Sequence, residues 1–114
     1  MSFISALFGS KKKETDRIAI LNKEEYKEAI EHKNIQLVDV RTSLEYTSGH
    51  IKNALNIDFF NANTFQREFE KLDKDKPVYL YCRSGARSQK AAYKLLDMGF
   101  TKIYDLKGGY NNWR

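Results

Sequence analysis

Residues 78–88 read VYLYCRSGARS, and this stretch decides the fold. Val78 to Tyr81 form an unbroken apolar and aromatic run, which is typical of a strand buried on both faces. Ala86 to Met98 place small and apolar residues at helical spacing, and Gly99 follows as a C-terminal stop. Cys82 therefore stands where a buried strand leads into a helix. Sites in parallel sheets form at this carboxyl edge, so Cys82 marks the candidate site.

The rest of the sequence alternates strand-like and helix-like segments over short connections. Parallel neighbours need a crossover between them, so this alternation predicts an α/β protein with a mostly parallel sheet. The other predicted strands are Ile18 to Leu21, Leu37 to Val40, Ala54 to Ile57 and Ile103 to Leu106. The other predicted helices run from a cap at Asn22 to about His32, through one turn within 41–50, and through Phe65, Phe69 and Leu72.

The length of 114 residues and the 41% of hydrophobic residues suit one domain with a single core. We expect a leader over residues 1–16 and the folded domain over residues 17–114. Met1 to Gly9 is apolar, but its lysines follow the apolar run, whereas a secretory signal places basic residues before it. The run is also too short for a bilayer, which takes roughly 20 apolar residues. We therefore expect a frayed or loosely docked leader in preference to an interfacial membrane anchor.

The charge and the cysteine count limit the partners and the compartment. A net charge of +5 favours anionic partners, but much of it lies on solvated helix faces, so nucleic acid is not predicted. One cysteine excludes an internal disulfide, which makes the cytoplasm the default location. His32 and His50 stand at no ligand-like spacing, so the sequence predicts neither a metal site nor a cofactor.

The loop after the strand predicts an anion-binding turn around Cys82. Amides at the start of a helix have no partner within the helix, and the helix dipole adds partial positive charge there. A thiolate is stabilised at such a point and becomes a nucleophile at neutral pH. Gly85 lets the backbone bend, while Arg83 and Arg87 supply charged hydrogen bonds to an oxyanion, with Arg87 expected to fold back over the loop. The predicted substrate-binding residues are Arg83, Ser84, Gly85, Ala86, Arg87 and Ser88.

A cysteine buried only for packing is the alternative for this loop. It would not explain why a strand end, a glycine turn, two arginines and a helix start occur together.

Three motifs in this order resemble those of the rhodanese family, over about Arg17 to Arg114. They are Val38-Asp39-Val40-Arg41 with Glu45-Tyr46, Gly49-His50-Ile51, Ala54 and Asn56-Ile57; Cys82 to Ser88; and Gly99-Phe100 with Gly108-Gly109-Tyr110 and Trp113. The resemblance implies a three-layer fold in which helices flank a five-stranded, mainly parallel sheet. It also implies a thiosulfate sulfurtransferase type of enzyme. Cys82 would take sulfane sulfur from thiosulfate, or from a protein persulfide, and pass it to a thiophilic acceptor.

Asp39 and Arg41 lie at the carboxyl end of a predicted strand, as Cys82 does. We expect them to support the site through an ion pair that holds the loops together, in preference to direct chemistry. Glu45 is expected to bind a backbone amide or Arg41. His50 is expected to be structural, because a thiolate that amides already stabilise needs no general base.

Two other functions remain open. A cysteine-dependent phosphatase also places a Cys after a strand and an Arg before a helix, but such loops resemble Cys, five residues and Arg, commonly with His before the Cys. Here four residues separate Cys82 from Arg87, and Tyr81 precedes the cysteine, so both departures favour sulfur over phosphate. The second alternative is a non-catalytic, rhodanese-like binding module, and such modules usually lack the cysteine that is present here.

Overall fold

Five strands alternate with five helices over residues 16–114, the part of the chain that the computed structural model describes. The strands are β1 (Ile18–Leu21), β2 (Gln36–Asp39), β3 (Leu55–Asn56), β4 (Val78–Tyr81) and β5 (Ile103–Leu106). The helices are α1 (Lys23–Ile30), α2 (Ser43–Thr47), α3 (Ala62–Phe69), α4 (Ala86–Asp97) and α5 (Gly109–Trp113). The predicted leader, apart from Asp16, lies outside the described residues.

All five strands form one parallel sheet in the order β1-β5-β4-β2-β3. β4 lies in the middle, where Val78 is opposite Gln36 of β2 and Ile103 of β5. Because the strands are parallel, their carboxyl ends share one edge, and the loop that begins at Cys82 leaves from the centre of that edge. The predicted α/β fold with a five-stranded parallel sheet is confirmed.

Alternate side chains of the sheet form two cores, one on each face. On one face, Leu80 belongs to a cluster with Phe65 of α3 and Leu95 of α4. On the other face, Tyr81 belongs to a cluster with Tyr26 of α1. Helices therefore cover the sheet on both sides and make the three predicted layers. This double burial explains why β4 is apolar at every position.

The predicted start of the first helix is confirmed by its cap. Asn22 Oδ1 accepts the Glu25 amide at 2.8 Å, and the Glu25 carboxylate accepts the Asn22 amide at 3.0 Å. This reciprocal pair satisfies two amides that the helix leaves free. The helix ends at Ile30, before the predicted His32, and the chain soon turns at Asn34, which has a φ of +65°.

The bounds of β1, β4 and β5 agree with the prediction, and the other two strands differ from it by one residue at each end. The strand predicted over 37–40 spans Gln36–Asp39, and the strand predicted over 54–57 is reduced to Leu55–Asn56 at the edge of the sheet. This strand pairs with β2 at two positions, Val38 with Leu55 and Asp39 with Asn56. None of the helices within residues 16–114 has the length and the apolar composition to cross a membrane.

Candidate active site

The end of β4 places Cys82 inside a backbone turn that leads into α4. Sγ of Cys82 accepts hydrogen bonds from the backbone amides of Gly85 at 3.0 Å and Ser88 at 3.3 Å. Gly85 has a φ of +110°, which side chains other than glycine rarely allow, and this bend directs its amide toward the sulfur. Only 1% of Cys82 is exposed. The turn therefore has the amide donors that the sequence predicts for an anion-binding loop.

The predicted substrate-binding residues fall into two groups. Arg83, Ser84 and Ala86 lie on the exposed side of the turn. Ser88 is fully buried beneath it, with its hydroxyl 3.4 Å from Cys82 Sγ and 3.2 Å from the carbonyl oxygen of Gly85, to which it donates. Ser88 thus contacts the cysteine from the interior of the protein and not from the exposed side of the turn.

Arg87 forms an ion pair with Glu45 instead of folding back over the loop. The Arg87 guanidinium donates to both carboxylate oxygens of Glu45, at 2.8 and 3.0 Å, and so joins α4 to α2. The Arg87 hydrogen bonds lower the pKa of Glu45 to about 2, although burial opposes the shift. Glu45 also accepts the Thr42 backbone amide at 3.0 Å, as predicted, but its charged partner is Arg87 and not Arg41.

Asp39 and Arg41 form the ion pair that the sequence predicts. Both side chains are buried, and Arg41 donates to Asp39 through Nε at 2.9 and 3.0 Å and through Nη2 at 2.7 Å. Arg41 Nη2 also donates to the carbonyl oxygen of Gly49 at 2.6 Å, and its guanidinium lies 4.4 Å from the ring centre of Tyr110. The pair therefore connects the end of β2 to two neighbouring segments and is held by several hydrogen bonds.

The start of α5 fastens the Cys82 loop by its backbone. The amides of Tyr110 and Asn111 donate to the carbonyl oxygens of Cys82 at 2.8 Å and Arg83 at 3.0 Å. Gly109 lies so close to the loop that a Cβ atom would come within 2.6 Å of the backbone of Cys82 and Arg83. The sequence predicts a glycine turn beside the site, and the structure shows that glycine is also required by this close approach.

The comparison with known families agrees with this geometry. The family model of the Rhodanese-like domain matches residues 22–114, which include every residue of the site described above. The chain belongs to the rhodanese-like family. Its fold agrees as well, since a rhodanese-like domain protein from Staphylococcus aureus superposes with a TM-score of 0.74 at 30% identity, over 84% of this chain and 91% of that one.

Relatives of this rhodanese-like chain include proteins with different named activities. The thiosulfate sulfurtransferase GlpE of Coxiella burnetii is 37% identical over 87 residues, which cover 76% of this chain and 78% of GlpE. A tRNA uridine(34) hydroxylase of Pelagibacter ubique is 34% identical over 104 residues, which cover 91% of this chain but 34% of the hydroxylase. The similarity to GlpE extends over most of both proteins, and the similarity to the hydroxylase covers one third of the larger protein.

A cavity of about 340 Å³ opens beside the Cys82 loop of this rhodanese-like domain. Its walls include Arg83, Glu45, Tyr110 and Arg114. The ion pairs within residues 16–114 involve neither Arg83 nor Arg114, so both cations are available to an anionic ligand. A larger groove, of about 800 Å³, is lined from α1, the segment that follows it and Trp113, and no residue of the Cys82 loop borders it.

Three features of the site go beyond the sequence analysis. One is the pairing of Arg87 with Glu45, and another is the fastening of the loop by α5. The third is Asp105, which is buried on β5 beneath the start of α4. Within residues 16–114, no group of three or more His, Cys, Asp or Glu side chains is arranged to hold a metal ion.

Proposed function

We propose that this protein is a sulfurtransferase that carries sulfane sulfur as a persulfide on Cys82. The observation that carries the proposal is the position of Sγ, which accepts two backbone amides and contacts a buried hydroxyl at the start of a helix. Such an arrangement stabilises negative charge on sulfur, and the thiolate is the nucleophilic form of a cysteine. The similarity to GlpE supports the same assignment.

The first half of the reaction loads the cysteine. The Cys82 thiolate attacks the outer sulfur of thiosulfate, a new S–S bond forms, and the S–S bond within thiosulfate breaks. Sulfite leaves with the bonding electron pair, and Cys82 becomes a persulfide whose negative charge lies on the outer sulfur. Arg83 borders the adjacent cavity and is exposed, so it is the cation that we assign to the sulfonate group of the donor.

The second half of the reaction unloads the cysteine. A thiophilic acceptor, such as cyanide or the thiolate of a small molecule or protein, attacks the outer sulfur of the persulfide. The S–S bond to Cys82 breaks and Sγ departs as a thiolate, which the Gly85 and Ser88 amides stabilise as a leaving group. A protein persulfide could replace thiosulfate as the donor, because only the outer sulfur has to reach Sγ.

The geometry disfavours the phosphatase alternative. A phosphatase loop of this kind needs the arginine at its end to contact the phosphate oxygens, whereas Arg87 directs its guanidinium to Glu45. The loop is also one residue shorter than the phosphatase pattern, with four residues between Cys82 and Arg87. A non-catalytic binding module would not need the two hydrogen bonds that Cys82 Sγ accepts from backbone amides.

The deciding experiment compares the native protein with Cys82→Ser in a thiosulfate and cyanide assay. We expect the variant to lose sulfur transfer and to keep its thermal midpoint, because the substitution changes one buried atom. Tyr93→Phe, on the exposed side of α4, is the control and keeps both properties. Mass spectrometry of the native protein after treatment with thiosulfate should show one added sulfur on Cys82. Turnover above background by Cys82→Ser contradicts the persulfide mechanism.

A further inference from the structure

Leu44 and Phe60 are the two most exposed large apolar side chains of the described residues, with exposed fractions of 77% and 67%. A single exposed apolar side chain is ordinary and needs no explanation. These two, however, adjoin the two members of one ion pair. Leu44 directly precedes Glu45 in α2, and the ring centre of Phe60 lies 5.3 Å from the guanidinium carbon of Arg87. Both apolar side chains therefore belong to the surface that carries the Arg87–Glu45 pair.

This surface continues to the cysteine. Leu44 borders the cavity of about 340 Å³ together with Arg83 and Arg114. Arg83 directly follows Cys82, and Arg87 directly precedes Ser88, whose amide donates to Sγ. A large partner that brings a reacting group to Cys82 therefore contacts the same surface.

The charges of this surface favour an acidic partner. Within residues 16–114, Arg83 and Arg114 form no ion pair, whereas the carboxylate of Glu45 is already paired. Asp58 adds a negative charge beside Phe60, because its Oδ1 accepts the Phe60 backbone amide at 2.8 Å. We therefore expect the acidic groups of a partner to lie near the two arginines and its apolar groups to extend toward Phe60.

The size of the cavity favours a partner larger than thiosulfate. Cavities of roughly 300–1,000 Å³ enclose ligands of drug size, which are much larger than thiosulfate or cyanide. A small acceptor would also leave Leu44 and Phe60 in water. Phe60 is already held in place by an edge contact with Phe59, whose ring centre lies 5.9 Å away, so covering it requires little further ordering. Because only 1% of Cys82 is exposed, the reacting sulfur of a partner must project into the turn.

We propose that the sulfur acceptor of this site is a protein whose reactive cysteine stands on a protruding segment with acidic and apolar residues. The inference rests on the proposed function, because it names the acceptor for the same Cys82 persulfide. Carboxylates of the segment pair with Arg83 and Arg114, and its apolar side chains cover Leu44 and Phe60. The thiolate of the partner attacks the outer sulfur of the persulfide. The S–S bond to Sγ then breaks, Sγ keeps the electron pair, and the partner carries the new persulfide.

The first test uses a synthetic acceptor, the peptide acetyl-Glu-Glu-Leu-Cys-Leu-Leu-amide, with thiosulfate as the donor. Sulfite release gives kcat/KM for the peptide and for cyanide, and the ratio of the two is compared between proteins. Leu44→Ala and Phe60→Ala should each lower this ratio at least about threefold, and the double variant at least about tenfold, because each removes an apolar anchor. Leu55→Ala, which truncates a half-exposed leucine of β3, is the matched control and should leave the ratio unchanged.

A second peptide, in which glutamines replace the two glutamates, tests the charge of the partner. The preference of the native protein for the glutamate peptide over the glutamine peptide should fall at least about threefold in Arg114→Gln. Comparing the same two peptides in both proteins removes any difference in their own thiol reactivity. An unchanged peptide-to-cyanide ratio in the double variant, or an unchanged preference in Arg114→Gln, overturns the inference.

A binding measurement separates this inference from the proposed function. The glutamate peptide with serine in place of cysteine accepts no sulfur, and it is titrated into the native protein labelled with nitrogen-15. The amide signals of Leu44, Phe60, Arg83 and Arg114 should shift, and those of the groove beside Lys33 should not. Shifts elsewhere, or none with millimolar peptide, overturn the inference.

The two measurements assign a failure to one proposal or the other. Sulfur transfer to cyanide without binding of the peptide at this surface would refute the protein acceptor alone. Binding at this surface without sulfur transfer to any acceptor would refute the proposed function alone. The absence of both would refute both proposals.

Discussion

Arg87 and Glu45, which are 42 positions apart in the chain, form a two-bond ion pair across the face of the site. The pair joins the helix that follows the cysteine to the helix that follows β2. The exposed fraction is 19% for the Arg87 side chain and 25% for the Glu45 side chain, so the pair is partly shielded from water and from salt. Its role is to hold the Cys82 loop and the neighbouring loop in one arrangement.

Glu45→Gln should lower the free energy of unfolding by about 1 kcal/mol at pH 7, because the pair is partly exposed. The folded pKa of Glu45 is about 2 and its ordinary value is 4.5, so its stabilisation is present above pH 4.5 and is lost as the pH falls toward 2. The difference in thermal midpoint between native protein and variant should therefore shrink over that range. Glu70→Gln, which breaks an exposed pair with Lys74, should have a smaller effect at pH 7. A constant difference from pH 7 to pH 2 would contradict this assignment.

Arg83→Ala and Arg87→Ala should affect sulfur transfer in different ways. Arg83 is exposed at the cavity, and its loss should raise the KM for thiosulfate severalfold with a modest decrease in kcat and no change in thermal midpoint. Arg87 braces the loop, so its loss should impair both kinetic constants and lower the midpoint. Steady-state kinetics with thermal unfolding of both variants tests this. Equal kinetic effects would show that the separate roles are wrong.

Asp105→Asn should alter how stability depends on pH. The pKa of Asp105 is about 6 in the folded protein, against an ordinary value of 3.8. Its contribution to the stability of the folded protein is therefore greatest below about pH 4 and is lost as the pH rises through 6. Above pH 6 the ionised carboxyl costs roughly 2–3 kcal/mol. Urea unfolding at pH 4 and pH 8 should show the variant gaining that amount relative to the native protein. The same change with pH in both proteins would be evidence against a buried, titrating Asp105.

Gly109→Ala should be strongly destabilising and should abolish activity. The added Cβ meets the backbone of Cys82 and Arg83 at 2.6 Å, and the φ of +62° adds strain, so we expect a loss of about 2–4 kcal/mol. Gly85→Ala is the matched control, because its φ is also positive but no atom lies within 4 Å of the added Cβ. It should cost only about 1–2 kcal/mol. Chemical denaturation measures the free energy of unfolding of both variants and so separates the effect of the steric contact from that of the backbone strain. A larger loss of stability in Gly85→Ala than in Gly109→Ala would refute this explanation.

The strands, the helices and the candidate nucleophile could be predicted from the sequence because each is encoded locally. The apolar run of Val78–Tyr81 and the helical spacing after Ala86 need no information from elsewhere in the chain. The Asn22 cap is also local, since its partner Glu25 is three residues away. The residue pattern already indicated five strands, the family resemblance implied that helices flank the sheet, and the structure confirms the parallel sheet.

The charged partners could not be predicted, because they depend on which loops meet at the edge of the sheet. The sequence analysis gave Glu45 a backbone amide or Arg41 as its partner, and the ion pair with Arg87 follows from the placement of α2 beside α4. The burial of Asp105 could not be predicted either, because the sequence of a short strand does not show that one of its residues lies beneath the start of a helix. The contact between Gly109 and the Cys82 loop depends on backbone proximity alone, which no residue pattern records.

The position of β5 between β1 and β4 has a consequence for how the molecule folds. β1 pairs with β5 across 85 positions, as in Ile18 with Ile103. The chain between these strands must therefore lose conformational entropy before the contacts between them can stabilise the fold. β2 and β4 meet over a shorter separation and can associate earlier. β4 and β5 pair over a still shorter separation, as in Val78 with Ile103, so the residues that follow β5 can fasten the Cys82 loop before β1 is added to the sheet. A chain in which β1 has not yet paired would therefore already hold Cys82 in its turn, and the last contacts to form would lie at the β1 edge of the sheet.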